Sequence, residues 1–253
     1  MTLTRRLLTA ASLAAGLVLA ACGGGGGAAD SGRGAFERED DVAKGSPDAP
    51  VTMVEYASVA CGGCGVFHNT VMPSLQSYID EGEVRYVFRE MLTGQVQLAV
   101  AGFMLARCAE DDEGYLEIVE VLFQQQRALF VAMQAGNAND QLQAIARSAG
   151  FTDERYRTCL TDETLLEQVR QANDQAVADG IGSTPTFIFN GELLETARGP
   201  DGGGLVYAVG GEPLVDEQGS IPAEFTADSF ERIILHYKAR AESGGENVDD
   251  SDA

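Results

Sequence analysis

Val51-Thr52-Met53-Val54-Glu55-Tyr56-Ala57-Ser58-Val59-Ala60-Cys61-Gly62-Gly63-Cys64-Gly65-Val66-Phe67 passes from a β-forming run through a short loop into a helical one. Val51, Met53 and the β-formers after them fit a strand that opens just behind Pro50. Residues 57–60 make the loop. From Cys61 onward, apolar Val66, Phe67, Val71 and Met72 recur near the helical period, so Cys61 stands at a helix start. Residues 83–89 largely alternate, with Val84, Tyr86 and Phe88 on one face, and predict a second strand. Strand, helix, strand is a βαβ unit.

Outward from that unit the period changes. Residues 95–180 read as helical throughout. Met104 and Leu105 sit in a small-residue helix, and Leu116, Val119, Leu122 and Phe123 step at the helical period. Asn139 or Asp140 is a candidate cap for a helix ending before Gly150, and Thr152 for a short one holding Tyr156 and Cys159. A longer helix runs through Val169 and closes at Gly180. Strands return at Thr186-Phe187-Ile188-Phe189, and Asn190-Gly191 is a strong hairpin signal. The Gly-rich residues 199–219 hold material for a small extra hairpin. Phe230, Ile233, Ile234 and Tyr237 then define the buried stripe of a last helix. The expected class is α/β: β-α-β, an all-helical insertion, then β-β-α. The boundaries expected are 45–94 and 181–241 for the split domain and 95–180 for the insertion.

The chemistry concentrates at Cys61-Gly62-Gly63-Cys64. An ordinary thiol with a pKa near ~8.5 is only about 3% thiolate at neutral pH. Unpaired N–H groups and the dipole at a helix start favour the anion, so Cys61 is the expected nucleophile. Cys64, one turn inside, is shielded and suited to resolving a mixed disulfide. A C-x-x-C is also half a zinc site, but the chain has only two histidines. His68 could join Cys61 and Cys64 in a copper-type site; a helix-surface histidine is the expectation. No cofactor or metal is called for.

Seventeen basic residues against 39 acidic ones give a net charge of −22. Such a surface repels phosphate backbones, and no basic stripe overrides it, which argues against nucleic-acid partners. Arg5 and Arg6 precede a 13-residue apolar stretch, residues 7–19, that is short for a bilayer span. The pattern is that of an export signal over residues 1–21. It ends in Leu19-Ala20-Ala21-Cys22, which resembles the lipobox of bacterial lipoproteins and implies lipidation at Cys22. Residues 22–44, with a five-glycine run, read as a flexible tether, and residues 242–253 as a disordered acidic tail. Five cysteines in an exported chain leave one over. With Cys22 lipidated, four remain and three pairings are open. The spacing suggests a reactive Cys61–Cys64 pair and a structural Cys108–Cys159 pair, against a reading of Cys108 and Cys159 as buried free thiols.

Pro50-Val51 with Glu55, the Cys61–Cys64 motif, and Ser183-Thr184-Pro185-Thr186-Phe187 together resemble the DsbA-like thioredoxins of bacterial envelopes. The resemblance extends from about residue 45 to 239. It implies a thioredoxin fold with a helical insertion, and dithiol oxidation of exported proteins on the periplasmic side of a membrane. Reduced exported proteins would be the substrates and a DsbB-type membrane protein the reoxidant. It also implies a cis Pro185 against the disulfide, Thr184 offering its backbone to an extended substrate, and Glu55 exchanging a proton with Cys64. A reductase or isomerase on the same fold is the alternative. Strongly oxidising members carry His or Pro between the cysteines. Gly62 and Gly63 therefore lead to the expectation of a less favoured reduced form.

Overall fold

The computed structural model describes residues 36–200 and 202–246. The expected export signal, Cys22 and the glycine run lie outside them, as do residues 247–253.

The chain opens with a short strand, β1 (Val42–Lys44), and continues into β2 (Val51–Ala57). Two consecutive helices follow, α1 (Gly62–Thr70) and α2 (Met72–Asp80), before β3 (Val84–Glu90). The helical block is α3 (Val96–Ala106), α4 (Asp112–Gln124), α5 (Gln126–Gln134), α6 (Ala138–Ser148), α7 (Asp153–Leu160) and α8 (Glu163–Ala178). β4 (Thr186–Phe189) and β5 (Glu192–Leu193) form the expected hairpin. Asn190 and Gly191 both have positive φ, 45° and 83°, as a type I′ turn requires. β6 (Glu195–Arg198), β7 (Leu205–Val209) and β8 (Glu212–Pro213) make a separate three-stranded sheet. β9 (Val215–Asp216) pairs with β10 (Gly219–Ser220), and α9 (Ala227–Glu246) ends the fold.

The main sheet has the order β1-β3-β2-β4-β5, with β2 parallel to β3 and antiparallel to β4. All of β2 is buried, since it lies centrally and is covered on both faces. Its alternation divides the core. Val54 and Tyr56 face a cluster with Val87, Met91, Ala176 and Ile181, whereas Val51 and Met53 face Phe67, Phe187, Phe189 and Phe230. Glu55 keeps step with Met53 and therefore points toward the side on which α1 packs. Phe67 anchors that side, with ring centroids 4.7 Å from Phe187 and 5.0 Å from Phe230. Each fully buried ring of this kind stabilises the fold by roughly 2–3 kcal/mol. Phe230, Ile233, Ile234 and Tyr237 of α9 are buried, as their spacing predicts.

Several expected boundaries move. Residues 42–44, read as tether, are an edge strand paired with Tyr86, Val87 and Phe88. Ion pairs from Arg85 to Glu37 and from Arg89 to Asp41 hold the chain before it. A two-residue-period signal is too weak in three residues to be seen beside a glycine-rich run. The helix after Cys61 is interrupted at Val71, and Pro73 opens the second one, where its missing N–H costs nothing. Thr152 caps α7 through Arg155 N–H, but α6 starts at Ala138, ahead of the caps expected at Asn139 and Asp140. Residues 242–246, read as tail, continue α9.

Candidate active site

Cys61 has extended backbone, φ −99° and ψ 121°, and is the residue from which α1 departs. Cys64 is wholly buried one turn inside, and Cys61 is partly exposed. Across from them the Thr184–Pro185 peptide is cis, and the Cys61 thiol donates to the Thr184 carbonyl at 3.3 Å. The two glycines between the cysteines are not equivalent. A Cβ at Gly62 would meet nothing within 4 Å, whereas one at Gly63 would lie 3.2 Å from Pro185 Cδ. The closeness of the proline loop therefore explains Gly63, and nothing in the packing explains Gly62.

The Cys61 thiol is held down to about 5. The largest cause is the hydrogen bond from the Cys64 thiol. Partial burial opposes it, and the Thr184 side chain and the backbone N–H groups of Cys64 and Gly63 add to it. The shift arises without a histidine between the cysteines, from the Cys64 thiol, the Thr184 side chain and two backbone N–H groups. Cys64 is driven far above the ordinary thiol range, first by burial, then by its bond to Cys61 and the negative charge of Glu55. One thiol is poised as an anion and the other stays protonated.

Glu55 is fully buried. Its Oε2 accepts from the Tyr86 hydroxyl at 2.6 Å and meets His68 Nε2 at 3.1 Å, while Oε1 has no hydrogen-bond partner among the described residues. His68, expected on the helix surface, is 3% exposed and stacks on Phe123 with centroids 3.8 Å apart. Its Nδ1 lies 3.1 Å from Glu120 Oε2. The misreading has a simple source. The buried face of α1 is set by the sheet beneath it and takes Phe67 and His68, leaving Val66 51% exposed. Engaged by two carboxylates, His68 is not presented to Cys61 and Cys64 as a third ligand.

Five further residues position the loop, and single-letter patterns did not reveal them. Gln126, buried at the start of α5, donates Nε2 to the carbonyls of Val59 and Cys61 at 2.9 and 3.0 Å. Gly65 makes room for it, since a Cβ there would lie 2.2 Å from Gln126 Oε1. Gly94, at φ 68°, brings the start of α3 against the Ala60 carbonyl, where a Cβ would sit 2.0 Å away. Thr93 Oγ1 meets Thr184 Oγ1 at 2.5 Å, and Ser58 Oγ donates to the Thr93 carbonyl at 3.0 Å. Glycines flanking a reactive motif were the one signal available beforehand. In the helical block, Cys108 and Cys159 are joined by a disulfide, Cα to Cα 6.0 Å, between the end of α3 and α7.

A five-stranded mixed sheet with a cysteine pair at the start of the first described helix and a cis-proline loop facing it defines the thioredoxin class. A thioredoxin family model matches residues 37–203, and the chain belongs to that family. A Rickettsia bellii protein bearing the name of a protein-disulfide oxidoreductase is 31% identical over 159 residues, 62% of this chain and 60% of that protein. Disulfide bond formation protein D of Bacillus subtilis is 29% identical over 154 residues, 60% of this chain and 68% of that protein. The chain thus spans about 60% of the length of the first of these curated relatives. In fold, it resembles the crystal structure of Wolbachia pipientis alpha-DsbA1, with TM-score 0.64, 22% identity, and coverage of 82% of this chain and 96% of that one. That likeness extends the thioredoxin fold to include the helical insertion.

Proposed function

We propose that the protein is an extracytoplasmic dithiol oxidase, forming disulfides in exported proteins by exchange with a Cys61–Cys64 disulfide. The observation that carries this reading is the division of the pair into a stabilised thiolate at Cys61 and a buried, protonated thiol at Cys64. A client thiolate attacks Cys61, Cys64 leaves, and a second client thiol releases Cys61 as its thiolate. Stabilising that thiolate favours the reduced protein and makes the disulfide a stronger oxidant. Thr184 and Pro185, partly exposed beside Cys61, would receive an extended client segment, and exposed Val66 would offer it an apolar neighbour. The names of the relatives support disulfide chemistry in either direction. A DsbB-type membrane protein is the proposed reoxidant.

Equilibration with a glutathione redox buffer tests the direction. An oxidase should hold its disulfide weakly, with a potential near or above ~−180 mV, and should oxidise a reduced exported protein. A potential as low as the ~−270 mV typical of thioredoxin would assign the site to reduction instead. Anchoring through a lipid on Cys22 belongs to the same proposal; no helix among the described residues is long and apolar enough to cross a membrane. Expressed in a bacterium, the chain should fractionate with membranes, and Cys22→Ser should release it. Wild-type protein found entirely in the soluble fraction would remove the anchor.

A further inference from the structure

Cys64 and His68 stand one turn apart on the buried face of α1. Disulfide opening expels Cys64 as a thiolate into a site without solvent, where an anion is costly. A proton must reach it from inside the protein. The groups around His68 come from four elements. Glu55 on β2 and Glu120 on α4 bind its two nitrogens, Tyr86 on β3 shares Glu55 Oε2, and Lys44 on β1 acts on Glu120 through its charge. An ionised carboxylate only accepts, and a neutral imidazole has a single N–H. Contacts of 3.1 Å from both ring nitrogens to two carboxylates therefore describe an imidazolium. Glu55 turns one oxygen to His68 and keeps the other, Oε1, buried and unbonded.

We propose that His68 is the proton store for Cys64, with Glu120 as the positioning residue that keeps the imidazole charged. This rests on the dithiol chemistry proposed above. As a client thiolate forms its S–S bond to Cys61, the Cys61–Cys64 bond breaks and its electron pair stays on Cys64. The Nε2 proton passes to Glu55 and from Glu55 to the Cys64 sulfur. Imidazolium and thiolate become imidazole and thiol, and below about pH 9 the ring then takes its proton back from solvent, so that reduction takes up one proton overall. Closure reverses the sequence: the ring first sheds its Nε2 proton to solvent, Cys64 gives up its own proton through Glu55 as it attacks the mixed disulfide, and Nε2 recovers it. Nδ1–H remains on Glu120 in both directions, so the ring need not turn.

The test is stopped-flow reduction of the full-length oxidised protein by dithiothreitol between pH 5 and 10, with rates divided by the reagent's thiolate concentration. Wild type should show an alkaline limb where His68 deprotonates, near pH 9. Glu120 is one third exposed, so Glu120→Gln should fold. It should move the limb down by about one pH unit. His68→Gln should lose the limb and run about tenfold slower at pH 7. A purely structural role would scale rates without moving the limb. Glu117→Gln, on the wall of the same cleft as Glu120, should match wild type. An unmoved limb in both test variants, or an equal shift in Glu117→Gln, overturns the proposal. Wild type that fails to react with dithiothreitol at any pH takes the thiol-exchange reading down as well.

Discussion

Cys61→Ser should abolish disulfide transfer to a reduced client, to the level of uncatalysed exchange, because a hydroxyl cannot form the mixed disulfide. Offered an oxidised client, Cys64→Ser should instead accumulate that species: Cys61 attacks the client disulfide, one client thiolate leaves, and no resolving thiol frees Cys61. Alkylation of the reduced wild type should be half-maximal near pH 5, with Cys64 unlabelled through neutral pH. The size of the rate advantage follows from two opposing effects. At pH 6 a thiol with pKa about 5 carries roughly 300-fold more thiolate than one at ~8.5. The weaker base is intrinsically about 40-fold less nucleophilic, leaving a net gain of roughly tenfold. The thermodynamic sign also follows. Because the pKa of Cys61 is depressed in the folded, reduced protein, the stabilisation is complete above the ordinary thiol pKa. It is lost as pH falls through about 5. Above pH 5 reduction takes up one proton for two electrons, so the potential should fall by about 30 mV per pH unit. Below pH 5, with both thiols protonated, the slope should double. Labelling of Cys64 in preference to Cys61 would reverse the roles.

Removing the Cys108–Cys159 bond should cost about 4 kcal/mol in the chain-entropy model, given a loop closed across 51 residues. For a chain of this size that corresponds to a fall in melting temperature on the order of 10 °C. The bond joins the end of α3 to α7, where Arg155 also donates to the Cys108 carbonyl at 2.7 Å. That bond and the stacking of Arg155 over Phe151 survive the substitution and limit fraying. Thiol exchange should be spared in the Cys108→Ala/Cys159→Ala protein, since Gly94 holds the active-site loop at the opposite end of α3 and Gln126 and Gly65 hold it from α5 and α1. A change in stability below about 1 kcal/mol would show that this bond does not restrain the unfolded chain. Loss of exchange at full stability would contradict the separation of the two ends.

The strands that carry the site were legible because their faces differ. Alternation in β3 and β-formers in β2 are properties of the local chain, and Asn190-Gly191 fixes its own turn. The extent of the helical block was legible from its period, but its points of attachment were not. Gln126 and Glu120 look like ordinary polar helix residues until the fold brings them to Cys61 and His68, since a side chain's partner 52 or 65 residues away leaves no local trace. His68 was misplaced for the same reason: a nine-residue helix with apolar residues on more than one side does not say which side the sheet will take. Glu55 could be placed by register with Met53, yet its two hydrogen bonds come from β3 and α1.

The attachment through Gln126 bears on modularity. A helical block inserted between two halves of a sheet domain invites treatment as a detachable accessory that could be trimmed to leave a minimal redox protein. Here excision would strip the carbonyls of Val59 and Cys61 of their donor and remove both Glu120 and the Phe123 ring on which His68 lies. The Val59 carbonyl would lose its side-chain donor, the Cys61 carbonyl would keep only the Gly65 N–H, and a buried polar group left unpaired in this way costs on the order of 1–3 kcal/mol. The two parts are separate in sequence and one unit in packing: a substitution in one half of this floor alters the contacts of the other.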